Sequence, residues 1–475
     1  MATTQHGETA GDPGPTVFVL FGATGDLARR MVLPAFYRLA REGLLPGQWR
    51  LVGNGRGDVA HEDFRAHFRD ALTESGPEPE PQEWAAFAER VFFAGGGFSA
   101  DNPGSLLDVI GKARGSLGGD PQLVHYLAVP PVAFAGLTTA LGHHELSSGA
   151  RVVYEKPFGT SGDDFRELDR VVHSVLDEQQ VYRIDHFLGK EATQELHVLR
   201  FANESSAAFW NRRHVESVQI DVPETLDISD RAQFYDATGA VLDMLVTHLF
   251  QVAAEIAMEP PASLGALDLQ AARETVINCF RPLDPAEVVL GQFDGYRDVP
   301  GVDPHSNRDT FVAARLWIDT DRWRGVPFYL RTGKRLAASA QLVSLILREP
   351  SGPLSGRLPR GGNVLSFSLA GDGEIDLSLV TKKPGPALDL AVGHAAIPLA
   401  DLSNADPLPP YVRLIHDVLI GDRSLFTRPD GLAAVWEVAE PLLSRPPQVS
   451  SYAPGSWGPA RSRDLVAPGH WLLGQ

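Results

Sequence analysis

The feature that most constrains the fold is an apolar run followed at once by glycines and then by a helical pattern. Residues 16–21 read Thr-Val-Phe-Val-Leu-Phe, and Gly-Ala-Thr-Gly-Asp-Leu-Ala follows at 22–28. A continuous apolar run of this length is typical of a strand buried on both faces. A strand, a glycine turn and a helix form the phosphate-binding unit of dinucleotide folds. The sequence therefore predicts an α/β nucleotide-binding domain near the N-terminus, with a tight turn that binds no ligand as the alternative.

The residue after the second predicted strand bears on the choice of cofactor. Residues 49–53 are predicted as that strand, and Asn-Gly-Arg follows at 54–56. In dinucleotide folds an acidic residue at this place holds the ribose of NAD, whereas an arginine pairs with the 2′-phosphate of NADP. Arg56 therefore favours NADP. Asp58 lies two residues further on, and a solvated surface arginine is the other interpretation.

Composition narrows the classes of partner. The chain has 42 Lys and Arg against 60 Asp and Glu, a net charge of -18, so neither nucleic acid nor an anionic membrane is expected as the main partner. The single cysteine, Cys279, excludes an internal disulfide and is consistent with a reducing cytosol. No apolar run approaches the length of a membrane span. No His, Cys, Asp or Glu cluster has metal-ligand spacing, so no metal site is predicted.

Charged and polar groups are densest at residues 182–191, which read Tyr-Arg-Ile-Asp-His-Phe-Leu-Gly-Lys-Glu. Residues 181–184 are predicted as a short strand and residues 191–197 as a helix. If the helix began near His186, then His186 and Lys190 would lie four residues apart and face one way. Two cationic donors on one face suit a phosphate. A solvated helix start with an ordinary ion pair is the alternative.

The second half of the chain begins with an alternating pattern at 214–222, which predicts a half-exposed strand. A long helix with an apolar stripe is predicted over residues 239–258. Asp243 and His248 lie on it, about 140° apart if the helix is an ideal α-helix, so they would flank a site from adjacent faces. A single histidine near an apolar face is more often a core residue than a functional one.

Several segments resemble motifs of the glucose-6-phosphate dehydrogenase family, and the resemblance extends over about residues 16–466. The clearest is Arg-Ile-Asp-His-aromatic-Leu-Gly-Lys-Glu at 183–191, which is similar to the active-site signature of that family. The others are the glycine turn at 22–28, Glu-Lys-Pro-Phe-Gly at 155–159, the segment 231–248 and the segment 323–336. Residues 1–15 are polar with Gly and Pro, which predicts a loose tail. The resemblance implies a Rossmann-like dinucleotide-binding domain over 16–175 and a larger domain over 176–475. The larger domain would carry a mostly antiparallel sheet and serve substrate binding and dimerisation.

The resemblance also implies an activity, a location and a set of residues. The activity is the NADP-dependent oxidation of glucose 6-phosphate at C1 to 6-phosphogluconolactone, the entry to the pentose phosphate pathway, in the cytoplasm and by a homodimer or homotetramer. A histidine suits removal of the hydroxyl proton, since its ordinary pKa lies near neutrality. The implied catalytic residues are His248 and Asp185. The implied substrate contacts are Lys156, His186, Lys190, Glu224, Asp243 and Lys334. The implied cofactor contacts are Gly22, Thr24, Gly25, Asp26, Leu27, Arg56 and Lys156.

Three departures from the family pattern fall around the substrate. Phe187 stands where the family has a tyrosine, Thr247 where it has an asparagine, and Ser339 where it has a second basic residue. They predict altered recognition of the phosphorylated sugar. Two alternatives follow: a family member that oxidises another sugar or sugar phosphate, and a non-catalytic nucleotide-sensing homologue. The retained Asp185 and His248 argue against the second.

Overall fold

The computed structural model describes residues 14–228, 231–371, 373–402 and 407–474, so most of the predicted tail, residues 1–13, lies outside it. The strands are β1 Thr16–Phe21, β2 Trp49–Asn54, β3 Val91–Ala94, β4 Gln122–Leu127, β5 Arg151–Tyr154, β6 Val181–Arg183, β7 Val215–Pro223, β8 Val288–Phe293, β9 Phe311–Leu316, β10 Phe328–Gly333, β11 Leu342–Leu347, β12 Val364–Ser368, β13 Glu374–Lys382, β14 Leu390–Pro398 and β15 Val449–Tyr452. The α-helices are α1 Leu33–Arg41, α2 His61–Ser75, α3 Pro81–Ala88, α4 Leu106–Leu117, α5 Phe134–His143, α6 Gly162–His173, α7 Glu191–Ala202, α8 Glu204–Phe209, α9 Ala232–Ala240, α10 Phe250–Ala257, α11 Ala266–Ile277, α12 Pro410–Ile420 and α13 Pro429–Ser444.

The chain divides into two compact units. The first runs to Gly189 and also takes in Gly265–Leu267 and Pro409–Pro429, which contain α12. The second holds Lys190–Leu264, Asp268–Leu408 and the chain from Asp430 onward. The functional division into residues 16–175 and 176–475 stays a prediction.

The sheet of the first unit is the parallel, doubly wound sheet that the sequence predicts. Its six strands lie in the order β3-β2-β1-β4-β5-β6, and every adjacent pair is parallel. The side chains of β1 are buried throughout, as its apolar run requires. The strand order reverses between β1 and β4, and ligands of such sheets bind beyond the carboxyl ends of the strands at this reversal. The glycine turn follows β1 at that place.

The sheet of the second unit has nine strands in the order β14-β13-β12-β11-β7-β10-β9-β8-β15. Its pairs are antiparallel except for β7 with β10 and β8 with β15. The prediction of a half-exposed strand at 214–222 was wrong, because β7 is an inner strand and nearly all of it is buried. Its buried polar residues have protein partners: Arg331 donates to both carboxylate oxygens of Asp221, and the Gln219 side chain bonds the backbone near the C-terminus.

The predicted helix over 239–258 is a composite. A π-helical segment, Val241–Leu249, lies between α9 and α10, and the backbone breaks at Gly239, where φ is 67°. A side chain at Gly239 would place its Cβ 2.6 Å from Asp309 Oδ1, so glycine is required there. Taken across the break at Gly239, the helical stretch Ala232–Ala257 is long and apolar enough to cross a membrane, contrary to the sequence expectation. However, 89% of its most apolar 18-residue part is buried, as is typical of a core helix.

Candidate functional site

The glycine turn of the first unit is held close to the next strand. Gly22 has φ +71°, and a Cβ there would lie 2.3 Å from the carbonyl oxygen of Ala128. The amide of Gly25 donates to the Gly22 carbonyl at 2.8 Å, and helical backbone begins at Asp26 and Leu27. The first amides of a helix have no partner within it, so this turn offers donors suited to a phosphate. The geometry fits the pyrophosphate of a nicotinamide dinucleotide.

Arg56 lies exposed in the loop that follows β2, and Thr24 lies exposed in the glycine turn. Asn54 braces the loop after β2 by donating to the carbonyls of Ala94 and Gly97, at 3.0 and 3.3 Å. A Cβ placed on Gly55, the residue before Arg56, would come within 3.7 Å of Thr24 Oγ1. The structure therefore brings the glycine turn and the loop that carries Arg56 close together.

Lys156 follows β5 and precedes a cis proline, Pro157. The residue before it, Glu155, is a buried carboxylate that the sequence reasoning did not single out. Tyr126 donates its hydroxyl to Glu155 at 2.5 Å, and Tyr411 donates at 3.4 Å. Burial raises the pKa of Glu155 to about 7, although both hydroxyls and the charge of Lys156 act in the opposite direction. Glu155 and Tyr126 lie within recognisable motifs, but nothing in the sequence connects Tyr411 to them.

Asp185 and His186 lie in a turn after β6. Asp185 is 2% exposed, and its Oδ1 accepts the amide of Phe187 at 2.9 Å. The half-buried ring of His186 faces the ring of Tyr411, with centroids 6.5 Å apart and planes 18° apart. The expected helical pair of His186 and Lys190 was wrong, since α7 begins only after Lys190. Glycine is required at position 189 of this turn, because a Cβ there would lie 2.9 Å from Leu414.

The second unit brings together two of the predicted substrate residues. Lys334 Nζ lies 2.5 Å from a carboxylate oxygen of Glu224, and also lies over the ring of Tyr235, 5.6 Å from its centroid. Ser339, at the position of the missing basic residue, bonds the amide and hydroxyl of Thr225, both at 2.9 Å. Ser339 therefore shapes the loop that carries Glu224 and supplies no charge.

Lys190 stands at the start of α7, in the second unit. Its ammonium donates to the carbonyl oxygen of Leu369 at 2.9 Å and to the side chain of Gln341. Both of these acceptors are neutral groups. A lysine ammonium held at the start of a helix is a donor of the kind that suits an anionic ligand.

Asp243 and His248 lie on the π-helical segment and are both buried, at 8% and 0% exposed. In a π-helix the backbone bonds join residue i to residue i+5, so residues five apart lie nearly above one another. The two side chains therefore project from one side of the segment, and the expectation of adjacent faces was wrong. Thr247, which replaces the family asparagine, donates its hydroxyl to the Asp243 carbonyl at 2.6 Å and braces the same turn.

Two family models match successive parts of the chain. The family described as "Glucose-6-phosphate dehydrogenase, NAD binding domain" matches residues 19–195, and "Glucose-6-phosphate dehydrogenase, C-terminal domain" matches residues 197–471. Glucose-6-phosphate 1-dehydrogenase 1 of Mycobacterium tuberculosis (strain CDC 1551 / Oshkosh) is 35% identical over 454 residues, covering 95% of this chain and 94% of its own.

Two solved structures are similar over nearly the whole chain. The crystal structure of glucose-6-phosphate 1-dehydrogenase from Mycobacterium avium superposes with a TM-score of 0.88 at 34% identity, covering 98% of this chain and 99% of its own. A glucose-6-phosphate dehydrogenase in complex with its substrate glucose-6-phosphate superposes with a TM-score of 0.90 at 28% identity, covering all of both chains.

Proposed function

The chain belongs to the glucose-6-phosphate dehydrogenase family, and from that premise we propose that it oxidises glucose 6-phosphate at C1 to 6-phosphogluconolactone. The observation that carries the proposal is the π-helical segment, on which a fully buried histidine, His248, stands on the same side as Asp243. A histidine is the side chain best suited to accept a hydroxyl proton near neutral pH. The reaction is the first step of the pentose phosphate pathway.

His248 is the general base in this proposal, and Asp185 is the carboxylate that holds its tautomer and stabilises the imidazolium. The buried state of Asp185 and its bond to the Phe187 amide support this role, because they fix one carboxylate oxygen and orient the other. Lys334, Glu224 and Asp243 hold the sugar hydroxyls. The ion pair between Lys334 and Glu224 and the burial of Asp243 support this role, because they hold the side chains in place before the sugar binds.

The 6-phosphate is held by His186 and Lys190, and Lys156 contacts both the sugar and the cofactor. The cofactor, when bound, accepts the hydride from C1. We propose NADP, with the phosphates at Gly22, Gly25, Asp26 and Leu27. Thr24 and Arg56 bind the 2′-phosphate, and their exposure at adjacent strand ends supports this assignment.

We further propose that the protein works in the cytoplasm as a homodimer, or as a homotetramer built from such dimers. The apolar side chains on the outer part of the second sheet support self-association. Leu379 on β13 is 44% exposed and Ile397 on β14 is 48% exposed. Residues paired across two strands share a face, so Ile375 and its partner Ile397 point the same way, as does Leu379.

A panel of aldoses and aldose 6-phosphates, assayed by NADP reduction, tests the proposed activity. Glucose 6-phosphate should give the highest kcat/KM. The second candidate, a dehydrogenase for a different sugar, would show a higher kcat/KM with another member of the panel. Phe187 and Ser339 are the observations that favour it, because neither supplies the donor or charge that the family has there.

The double variant Phe187→Tyr with Ser339→Lys separates the two candidates. A hydrogen bond to a charged acceptor contributes about 1.5–3 kcal/mol, so restoring it should lower the KM for glucose 6-phosphate by roughly tenfold or more. If the pocket has been reshaped for another sugar, the double variant should harm turnover of that sugar and improve glucose 6-phosphate little.

A further inference from the structure

Glu155 is a buried carboxylate to which the proposed mechanism gives no role. It is 4% exposed and stands between β5 and Lys156. Each of its two oxygens accepts one tyrosine hydroxyl: Tyr126 donates to Oε1 at 2.5 Å, and Tyr411 donates to Oε2 at 3.4 Å. A buried carboxylate is tolerated only where such bonds offset its loss of water. The two tyrosine hydroxyls therefore stabilise the buried carboxylate of Glu155.

Tyr411 connects this carboxylate to His186, the proposed contact of the sugar 6-phosphate. Its ring faces the ring of His186 in a nearly parallel arrangement, with centroids 6.5 Å apart. The helix that carries Tyr411, α12, is fastened by Arg151, which donates to the carbonyls of Val418 and Leu419 at 2.7 and 2.6 Å. Tyr411 is thus held at its backbone by α12 and at its hydroxyl by Glu155, and its ring lies against His186.

We propose that Glu155 is a positioning residue for the sugar-phosphate site: through the Tyr411 hydroxyl, it holds the ring against which His186 is placed. The inference rests on the proposed role of His186 in binding the 6-phosphate. Neither Glu155 nor Tyr411 contacts the sugar in this proposal. Both act by restricting the orientations that His186 adopts before the phosphate arrives, which lowers the entropy lost on binding.

The ionisation of Glu155 makes this positioning dependent on pH. An ionised carboxylate accepts at both oxygens, whereas a protonated one has fewer acceptor sites and carries no charge to strengthen the bonds. The longer bond, to Tyr411, is the weaker of the two and should be lost first. The titratable and charged groups that face Glu155 are Tyr126 on β4, Tyr411 on α12 and its neighbour Lys156. Because burial raises the pKa of Glu155 to about 7, sugar-phosphate binding should weaken as the pH falls through neutrality.

Tyr411→Phe tests the link directly, because it keeps the ring and removes the hydroxyl. The KM for glucose 6-phosphate should rise about three- to tenfold, while kcat and the KM for NADP stay within about twofold. Tyr154→Phe is the matched control. Tyr154 is also a buried tyrosine and precedes Glu155, but its hydroxyl bonds Thr138, at 2.7 Å. Its KM for glucose 6-phosphate should be unchanged.

Glu155→Gln supplies the pH readout. The ratio of kcat/KM for glucose 6-phosphate between wild type and variant should rise from pH 6 to pH 8, since only the wild type gains the ionised acceptor. Titration of the substrate phosphate, which has its second pKa near 6, is common to both proteins and cancels in the ratio. A ratio that stays constant with pH overturns the inference. The inference is also overturned if Tyr411→Phe raises the KM for glucose 6-phosphate and the KM for NADP equally and lowers the melting temperature. That result would indicate a merely structural role for Tyr411.

Failure of the proposed activity can be distinguished from failure of this inference. A wild type that does not reduce NADP with glucose 6-phosphate refutes the proposed activity. In that event, calorimetric titration with glucose 6-phosphate compares the affinities of wild type, Tyr411→Phe and Tyr154→Phe. Equal affinities in the three proteins, or no binding, would overturn the inference. An active wild type whose Tyr411→Phe variant has an unchanged KM refutes the inference alone.

Discussion

At the scale of single residues, Arg56 is the best test of the cofactor. It is exposed after β2 in the loop braced by Asn54. It takes the place at which NAD-binding folds have a carboxylate. A charge-assisted bond contributes about 1.5–3 kcal/mol, so Arg56→Ala should raise the KM for NADP roughly ten- to a hundredfold. The KM for NAD should barely change. Arg38→Ala on α1, whose guanidinium pairs with Glu42, is the control. Equal losses with both cofactors would exclude Arg56 as the 2′-phosphate contact.

His248 and Asp185 give a second prediction at this scale. His248→Asn should lower kcat by about 10²–10⁴, the usual contribution of a general base, and should leave substrate binding largely intact. Asp185→Asn should lower kcat less and shift the acid limb of the pH profile, because the amide keeps the shape but not the charge. Steady-state kinetics from pH 5 to pH 9 measure both effects. A near-normal kcat in His248→Asn would mean that another residue is the base.

At the scale of elements, the π-helical segment depends on Asp309. The carboxylate of Asp309 accepts the amide of Val241 at 2.8 Å, and its backbone carbonyl accepts the amide of Ala240 at 2.9 Å. Burial raises the pKa of Asp309 from 3.8 to about 6, although the Val241 amide and Arg308 act in the opposite direction. The folded protein therefore holds this proton more tightly than the unfolded chain does. The stability that this tighter binding provides is fully present below about pH 4 and is lost as the pH rises through about 6.

Asp309→Asn should remove this pH dependence while keeping an oxygen that accepts from Val241. A shift of about two pKa units corresponds to roughly 3 kcal/mol, so the wild type should lose up to that much stability relative to the variant between pH 4 and pH 7. Guanidinium unfolding of both proteins at four pH values gives the comparison. A difference in unfolding free energy that does not vary with pH would mean that Asp309 is already ionised throughout this range.

At the scale of the whole molecule, self-association is the property to test. An outer strand such as β14 leaves backbone groups unpaired, and exposed apolar side chains beside it mark an interaction surface. Leu379→Lys with Ile397→Lys should convert an assembled protein to monomers at micromolar concentration, because each lysine would have to be buried in the interface. Light scattering after size exclusion measures the mass. Leu267→Lys, on α11 and 71% exposed in the wild type, is the control. An unchanged mass in the double variant would place the interface elsewhere.

The parts of this protein that the sequence determined are those that depend on neighbours in the chain. The buried run of β1 and the glycine turn after it follow from local composition, since Gly22 adopts a positive φ that other residues rarely take. The signature at 183–191 identified the family in the same local way. The predicted strands at 16–21 and 49–53 were confirmed for that reason.

Only the tertiary structure decided the features that depend on partners far along the chain. The π-helical register begins at a break where Gly239 packs against Asp309, 70 residues later in sequence, so the local pattern predicted an ordinary α-helix. The partner of Asp221 is Arg331, 110 residues away, which is why an alternating strand became an inner one. One of the two hydroxyls that donate to Glu155 belongs to Tyr411, 256 residues away. A local pattern sets the propensity of a segment, but burial and pairing are set by the residues that folding brings beside it.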